Sequence, residues 1–422
     1  MSYLHDMRTE FQGYSRNIRL FFLGNFLYQT GMAIYTIIYN LYIQALGYSN
    51  TVAGSIVSYQ SLASALILIP IGMLSDRIGR KKILVIGGWL VAASFIFRAV
   101  IEQESSLLIF AFMTGIFSAF VVVPSIPLLA ENSRIEQRAM LFSYNFAIVM
   151  VAQVLGNLVG GLSADLFQWL GLSTVLSYRI TLLIGTALCL ASLFPFQWIQ
   201  EAHRTKTMVA NLSILKGLRR IWEGERQPLK VIFYYGIVQL FIGLGAGLVF
   251  PYFNLYFHDR FAVDNWVIGL VAALGQAVTA VAMMMGPFLA RRWGDVKMVV
   301  ILQLSSVPFL LMTGFTTVLF WGILGYLFRQ IFMNAGDPIK QSVFIGLVDD
   351  RHKGLANSVA QMVSMIGYAA MGPISMRIVV ENGAYTGYLK VFVIASFLYV
   401  MGSILFYFAF NKRVQGAAKV KA

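Results

Sequence analysis

The chain has 422 residues, of which 58% are hydrophobic and 12% charged, and its net charge is +14. Soluble domains carry about 25% charged residues, so this composition excludes an ordinary water-soluble enzyme. The positive charge sits in the breaks between long apolar runs, where it sets topology and meets anionic lipid headgroups, so it is not read as a nucleic-acid footprint.

A bilayer core is about 30 Å thick and takes roughly 20 apolar residues to cross as a helix. Runs of that length predict twelve membrane helices over 19–46, 51–74, 83–101, 106–130, 140–166, 177–200, 230–257, 266–288, 297–314, 318–345, 355–379 and 388–410. The runs are continuous rather than alternating, which suits helices and not barrel strands. The segment before the first run holds Asp6, Arg8, Glu10, Arg16 and Arg19 and lacks the cleavage site of a secretory signal, so the first helix is expected to be retained. Of the 32 Lys and Arg, all but Arg98, Arg179, Arg260, Arg329, Lys340, Arg377 and Lys390 fall in the tails and even-numbered connections. By the positive-inside rule both termini are then cytoplasmic.

In chain order, the first helix carries a polar stripe. Asn25, Gln29, Thr36 and Asn40 lie within about 60° of one another at 100° per residue, with Tyr28, Tyr35 and Tyr39 beside them. Such a stripe avoids lipid and faces either a wet cavity or another helix. Between the second and third helices the chain reads Gly72-Met73-Leu74-Ser75-Asp76-Arg77-Ile78-Gly79-Arg80-Lys81-Lys82. Gly72 is expected to let helices approach, and Gly79 to make a tight turn with positive φ. Asp76 and Arg80, four apart, can pair if the turn is helical, and Asp76 can also face the start of another helix. Arg98, near the outer end of the third helix, is expected to snorkel to the surface.

The fifth helix contains Gly156-Asn157-Leu158-Val159-Gly160-Gly161, whose glycines form a small-residue surface for close helix packing. The lone Cys189 excludes disulfides and cysteine-rich metal sites, and the histidines show no metal-ligand spacing. The longest polar interruption divides the chain into six-helix units 1–200 and 230–422. Within the connector 201–229, Met208, Leu212, Leu215 and Trp222 fall on one side, as in a helix lying on headgroups, although a solvated linker fits equally.

The seventh helix offers Gln239 and Asn254, with Pro251, Gly243, Gly245 and Gly247 as bending points. In the tenth, Arg329, Asp337 and Lys340 share one face within about 80°. Ionisable groups at this depth are functional by default. Asp337 is the candidate for proton coupling or substrate binding, and Arg329 for meeting an anionic substrate or a carboxylate; a structural ion-pair network is the alternative. Gln60, Gln153, Asn157, Gln276, Asn357 and Gln361 are further cavity candidates.

An internal repeat ties these pieces together. Arg77, Gly79 and Lys82 recur 215 residues later as Arg292, Gly294 and Lys297, and Arg138 and Ser143 as Lys353 and Ser358. At an offset of 214, Asn40-Leu41-Tyr42 recurs as Asn254-Leu255-Tyr256. Two parallel six-helix repeats put a substrate site between the halves, near the bilayer midplane.

The Gly72 to Lys82 stretch, with its degenerate copy in the second half, resembles the signature loop of the major facilitator superfamily, and the resemblance covers the whole chain. It implies an all-α membrane protein with twelve helices in two pseudo-symmetric six-helix bundles. It also implies a cytoplasmic gate of Gly72, Asp76, Arg77, Gly79, Arg80 and Lys81, in which Asp76 meets the start of the eleventh helix near Gly354 and Glu131 joins the network. Two features depart from the family's drug antiporters, which usually place a proline where Asn157 stands and often an arginine where Ala111 stands.

The function expected from these features is secondary active transport of a small molecule across the cytoplasmic membrane by alternating access. Proton coupling and efflux of small amphipathic compounds lead. Proton-linked uptake of a polar or anionic metabolite, lipid or lysolipid translocation, and a non-transporting receptor or structural role are the alternatives. No phosphate-binding loop followed by Lys-Ser or Lys-Thr occurs, so an ion or substrate gradient supplies the energy. No enzyme activity, cofactor, metal or nucleic-acid partner is expected, and the functional unit is expected to be a monomer.

Overall fold

A computed structural model describes residues 14–133, 137–200, 226–348 and 353–421. The described residues form helices and no strand. In the first half these are α1 (Arg16–Ala45), α2 (Asn50–Ile78), α3 (Arg80–Val100), α4 (Glu104–Glu131), α5 (Arg138–Trp169) and α6 (Thr174–Ala191, extended by Leu193–Gln197). In the second half, α7 runs over Arg226–Val249 and, after a 3-10 turn at Phe250–Tyr252, over Phe253–Phe261. It is followed by α8 (Asn265–Trp293), α9 (Asp295–Phe315) and α10 (Leu319–Ala335, then Asp337–Gly346). The stretch Lys353–Lys421 bends at Gly383 (φ 75°, ψ 165°) into α11 (353–382) and α12 (384–421).

Nine described stretches are long and apolar enough to cross a membrane, one of them the 56 residues Ala356–Asn411 that hold α11 and α12. The twelve are completed by α1, whose polar stripe lowers its hydropathy, and by the two-piece α10. The internal repeat extends to helix boundaries. α2 and α8 have 29 residues each, α3 and α9 have 21 each, and their limits lie 215 positions apart. Gly79 (φ 115°) and Gly294 (φ 83°) make the same one-residue turn between them, a backbone conformation glycine adopts without a Cβ penalty.

Several expectations need correction. The Gly72 to Lys82 stretch is hardly a loop, because α2 continues through Asp76 and Arg77 to Ile78 and Gly79 alone is non-helical. Nor does Gly72 mediate a close approach: a Cβ there would meet only Val123 Cγ1, at an ordinary 3.8 Å. The tenth helix is not continuous but breaks at Gly336, where Pro338 in the next turn cannot supply the N–H that a through-helix needs. In α7 the bend is at Pro251, whereas Gly243 and Gly247 face the α11 backbone at Ser364 and Tyr368. The surface helix expected within 201–225 lies outside the described residues.

The close packing is divided by role. Gly156 and Gly160 sit against α1, where added Cβ atoms would lie 2.6 Å from Ala33 Cβ and 2.8 Å from Ile37 Cγ2. Gly161 instead faces α8, where an added Cβ would come 3.1 Å from Gly269 Cα, and Gly54 of α2 faces α11, where an added Cβ would come 2.6 Å from Gly372 O. These last two contacts join the halves. The largest buried cluster accordingly runs from Ile37, Ile38 and Leu41 in the first half to Val249, Tyr252, Met376 and Tyr388 in the second. A separate cluster built on Tyr235, Val299, Phe344 and Phe410 belongs to the second half alone.

At the end of α7, Ala262 holds φ 49° and ψ 40°, the left-handed conformation that costs an L-residue about 1–2 kcal/mol. Ala262→Gly relieves that strain and gives back about 0.4–1 kcal/mol in unfolded-state entropy. A net stabilisation of about 0.5–1 kcal/mol is expected, read as a higher unfolding temperature of the purified protein.

Candidate functional site

The ends of the helices away from the chain termini, called outer here because the positive-inside rule puts the termini within, are joined across the halves by the repeated Asn-Leu-Tyr segments. Leu255 N–H donates to Asn254 Oδ1 at 2.9 Å. Asn40 Nδ2 donates to Pro251 O at 2.7 Å, and Asn254 Nδ2 donates to Ile37 O at 2.8 Å. Each amide therefore reaches the carbonyl three residues before its own counterpart, a pseudo-twofold exchange. The tyrosines follow the same symmetry: Tyr42 OH donates to Ala99 O at 2.8 Å and Tyr256 OH to Thr313 O at 2.6 Å.

Above this pair, Asp259 Oδ1 accepts from Gln44 Nε2 (2.7 Å) and Oδ2 from Asn50 Nδ2 (3.0 Å) and Tyr388 OH (2.9 Å). Beside it, the Asp165 carboxylate of α5 accepts from Asn265 Nδ2 (2.6 Å) and Trp266 N–H (2.7 Å) at the start of α8. A carboxylate at a helix N-terminus satisfies orphan N–H groups and complements the dipole. Ser58 Oγ of α2 donates to Ala369 O of α11. Together these contacts close the outer side.

Beneath the seal lies a cavity of about 300 Å³ between the halves. Thr36 and Asn40 of α1, Gln60 of α2, Asn157 of α5, Asn254 of α7 and Gln276 of α8 line it, among aromatic walls. Arg98 also lines it. This corrects the snorkelling expectation, for Arg98 is 2% exposed, its Nη1 donates to Gln60 Oε1 at 3.1 Å, and its guanidinium lies 4.0 Å from the Tyr39 ring centre. An inward-pointing arginine is indistinguishable in sequence from a snorkelling one unless the aromatic partners on α1 are known to face it.

A second cavity, of about 310 Å³, adjoins the first at Phe250. It brings together Gln239, Arg329, Asp337, Lys340, Asn357 and Gln361. Lys340 Nζ is 2.7 Å from Asp337 Oδ1, with the lysine 6% and the aspartate 40% exposed at the side chain. Arg329, 3% exposed, donates to Gln330 Oε1 and Tyr399 OH, each at 2.7 Å.

The remaining candidates lie elsewhere. Asn25 Nδ2 donates to Asn145 Oδ1 of α5 at 2.8 Å in a buried interhelical bond, and neither it nor Gln29 lines the two cavities. At the inner end, Arg80 Nη2 is 3.2 Å from Asp76 Oδ1 and 3.3 Å from Glu131 Oε1, and Arg77 is exposed beside them. Residues 349–352, next to the start of α11 near Gly354 where Asp76 was expected to dock, lie outside the described residues. Among the described residues no cluster of His, Cys, Asp and Glu suits a metal ion. Asp165 and Asp259, both central to the outer seal, were missed; the only sequence signal was an unexplained acid near a helix end.

The family model of the Major Facilitator Superfamily matches residues 21–222 and 235–422. The chain belongs to the major facilitator superfamily. Superfamily members are membrane transporters, and this one has the expected all-helical fold in two six-helix bundles. It is 23% identical to the multi-drug resistance efflux pump PmrA homolog of Lactococcus lactis over 412 residues, 95% of this chain and 96% of that one. It is 30% identical to the uncharacterized MFS-type transporter MJ1560 of Methanocaldococcus jannaschii over 155 residues, 36% of this chain and only 39% of that protein. The crystal structure of the nucleoside transporter NupG superposes with a TM-score of 0.75 at 14% identity, covering 94% of this chain and 99% of that one, and so shares its fold.

The outer seal makes a direct prediction. Asn254→Ala removes hydrogen bonds worth about 1 kcal/mol net each, and Gly161→Val forces α5 and α8 apart. In a Cys189→Ala background with Gln276→Cys, either change should raise several-fold the rate at which an impermeant thiol reagent labels the cavity from the outer side. Unchanged labelling would mean that these contacts do not hold the seal.

Proposed function

We propose that this superfamily member is a secondary active transporter that exports small amphipathic molecules by alternating access, driven by a proton gradient. The observation that carries the reading is a cavity between the halves lined by aromatic and aliphatic side chains with a few amides, shut on one side by side-chain amides and a few carboxylate contacts. Neutral hydrogen bonds of this kind contribute about 1 kcal/mol each and those to charged groups about 1.5–3 kcal/mol. A seal built from them opens without unfolding either bundle. Full-length similarity to a protein named as an efflux pump supports the direction.

In this reading the outward-open state breaks the contacts of Asn40, Asn254, Asp165 and Asp259 and closes the inner end. There Asp76, Arg77, Gly79, Arg80, Lys81 and Glu131 form the latch, with Arg80 already held between Asp76 and Glu131. Asp337 carries the proton. When its carboxylate is neutralised, the buried Lys340 ammonium loses its partner, and an unpaired buried charge is strongly unfavourable. Substrate release and repacking of α10 are thereby tied to protonation.

A second reading, proton-linked uptake of a polar metabolite, is favoured by the charged walls of the second cavity. The sign of coupling separates the two. In proteoliposomes, a compound first identified by thermal stabilisation of the purified protein should move against the proton flow for export and with it for uptake. Asp337→Asn should abolish the response to an imposed pH gradient while substrate exchange at equal pH survives. Gradient-driven flux that stays pH-dependent and fast in that variant would remove Asp337 from the mechanism. Arg80→Gln should slow flux in both directions while leaving binding intact, as expected of a latch and not of a substrate contact.

A further inference from the structure

We propose that the central cavity takes amphipathic organic anions, and that Arg98 binds their carboxylate or other anionic group. This rests on the reading of that cavity as the transport site and deepens it by assigning the charge of the cargo.

Arg98 is a buried cation without a counter-ion among the described residues. It is 2% exposed, yet no carboxylate is within ion-pair reach of it among the described residues, and its Nε has no hydrogen-bond partner. What holds the cation is the Tyr39 ring face at 4.0 Å, the Tyr35 ring at 5.2 Å and the neutral Gln60 amide at 3.1 Å. Ring faces and one amide orient a guanidinium without neutralising it. Three acids that could compete for it have partners of their own: Glu102 with Arg179, Asp165 with the start of α8 and Asp337 with Lys340. A guanidinium that lines a cavity with no carboxylate beside it is complementary to a planar anion.

Tyr35, another lining residue, has a buried hydroxyl without a partner, a donor that a bound anion satisfies once the side chain turns toward it. The other walls include Met32, Phe95, Phe250, Phe253 and Tyr326, with the Tyr35 and Phe95 rings stacked at 3.8 Å. An anionic head at Arg98 and an apolar body against these rings satisfy both parts of the lining.

Across both cavities the cations are Arg98, Arg329 and Lys340, and the carboxylate facing them is Asp337, already matched to Lys340. The excess is positive, which repels the lipophilic cations that an aromatic cavity would otherwise attract. Arg329, whose Nε is likewise without a partner, lies in the polar cavity with Asp337 and Lys340, so Arg98 is the cation set among apolar walls that suit an amphipathic molecule.

The test is equilibrium binding to the purified full-length chain with three isosteric probes: 1-naphthaleneacetate, 1-naphthaleneacetamide and 2-(1-naphthyl)ethylammonium. Asn157→Trp, which fills the cavity, identifies binding at this site. The anion should bind tightest, and Arg98→Gln should weaken it by about tenfold or more while changing the amide little. Arg98→Lys retains the charge and serves if Arg98→Gln fails to fold; it should keep the preference for the anion while losing part of the affinity. Arg329→Gln should leave the preference intact. Anion and amide binding equally, tightest binding of the ammonium, or anion affinity that depends on Arg329 and not Arg98 would overturn the assignment while leaving the cavity as the transport site. If no probe of any charge binds in a manner that Asn157→Trp blocks, the site reading fails and the assignment with it.

Discussion

The exchange of amide hydrogen bonds between Asn40 and Asn254 is the interaction on which the arrangement of the two bundles turns. In lipid every backbone carbonyl must find a donor, and α7 cannot satisfy its own ladder where Pro251 interrupts it. Asn254 repairs part of the break by accepting from Leu255 N–H, and Asn40 satisfies Pro251 O from the other half. The backbone defect in one half is thus mended by a side chain of the other. Separation of the halves at this point requires water or a substrate to replace that donor.

Around this pair the outer junction uses three different kinds of contact at successive positions. Glycines bring α5 to α8 and α2 to α11 at backbone distance, Asp165 caps the first turn of α8, and Asp259 gathers three neutral donors from α1, α2 and α12. The close packing supplies dispersion and excludes lipid, while the polar contacts fix register. The cavities below divide the remaining polar groups by character. Amides and one arginine share the central, aromatic cavity, and the ion pair of α10 lies in the adjoining one.

Much of this was legible in the chain itself. Alternation of apolar runs and basic breaks located the helices, and the 215-residue offset anticipated the match of α2 with α8 and α3 with α9 because each repeat unit folds under the same constraints. Gly79 announced its turn because few residues tolerate φ 115°. Other features depend on which face meets which. The stripe on α1 was visible, but its division into Asn25, bonded to α5, and Asn40, at the junction, is set by how α5 and α7 pack on it. Arg98 needed knowledge of Tyr35 and Tyr39 facing it. The break in α10 had a signal in Gly336-Asp337-Pro338, which the apolar periodicity of the flanking residues masked.

The polar stripe of α1 also bears on how that helix is held in the membrane. This helix is not among the described stretches apolar enough, by length and composition, to cross a bilayer. Its Asn25 and Asn40 amides are bonded to α5 and α7, which follow it in the chain. With those partners in place the stripe is shielded from lipid, so in this fold the residence of α1 in the bilayer depends on helices that follow it in the chain.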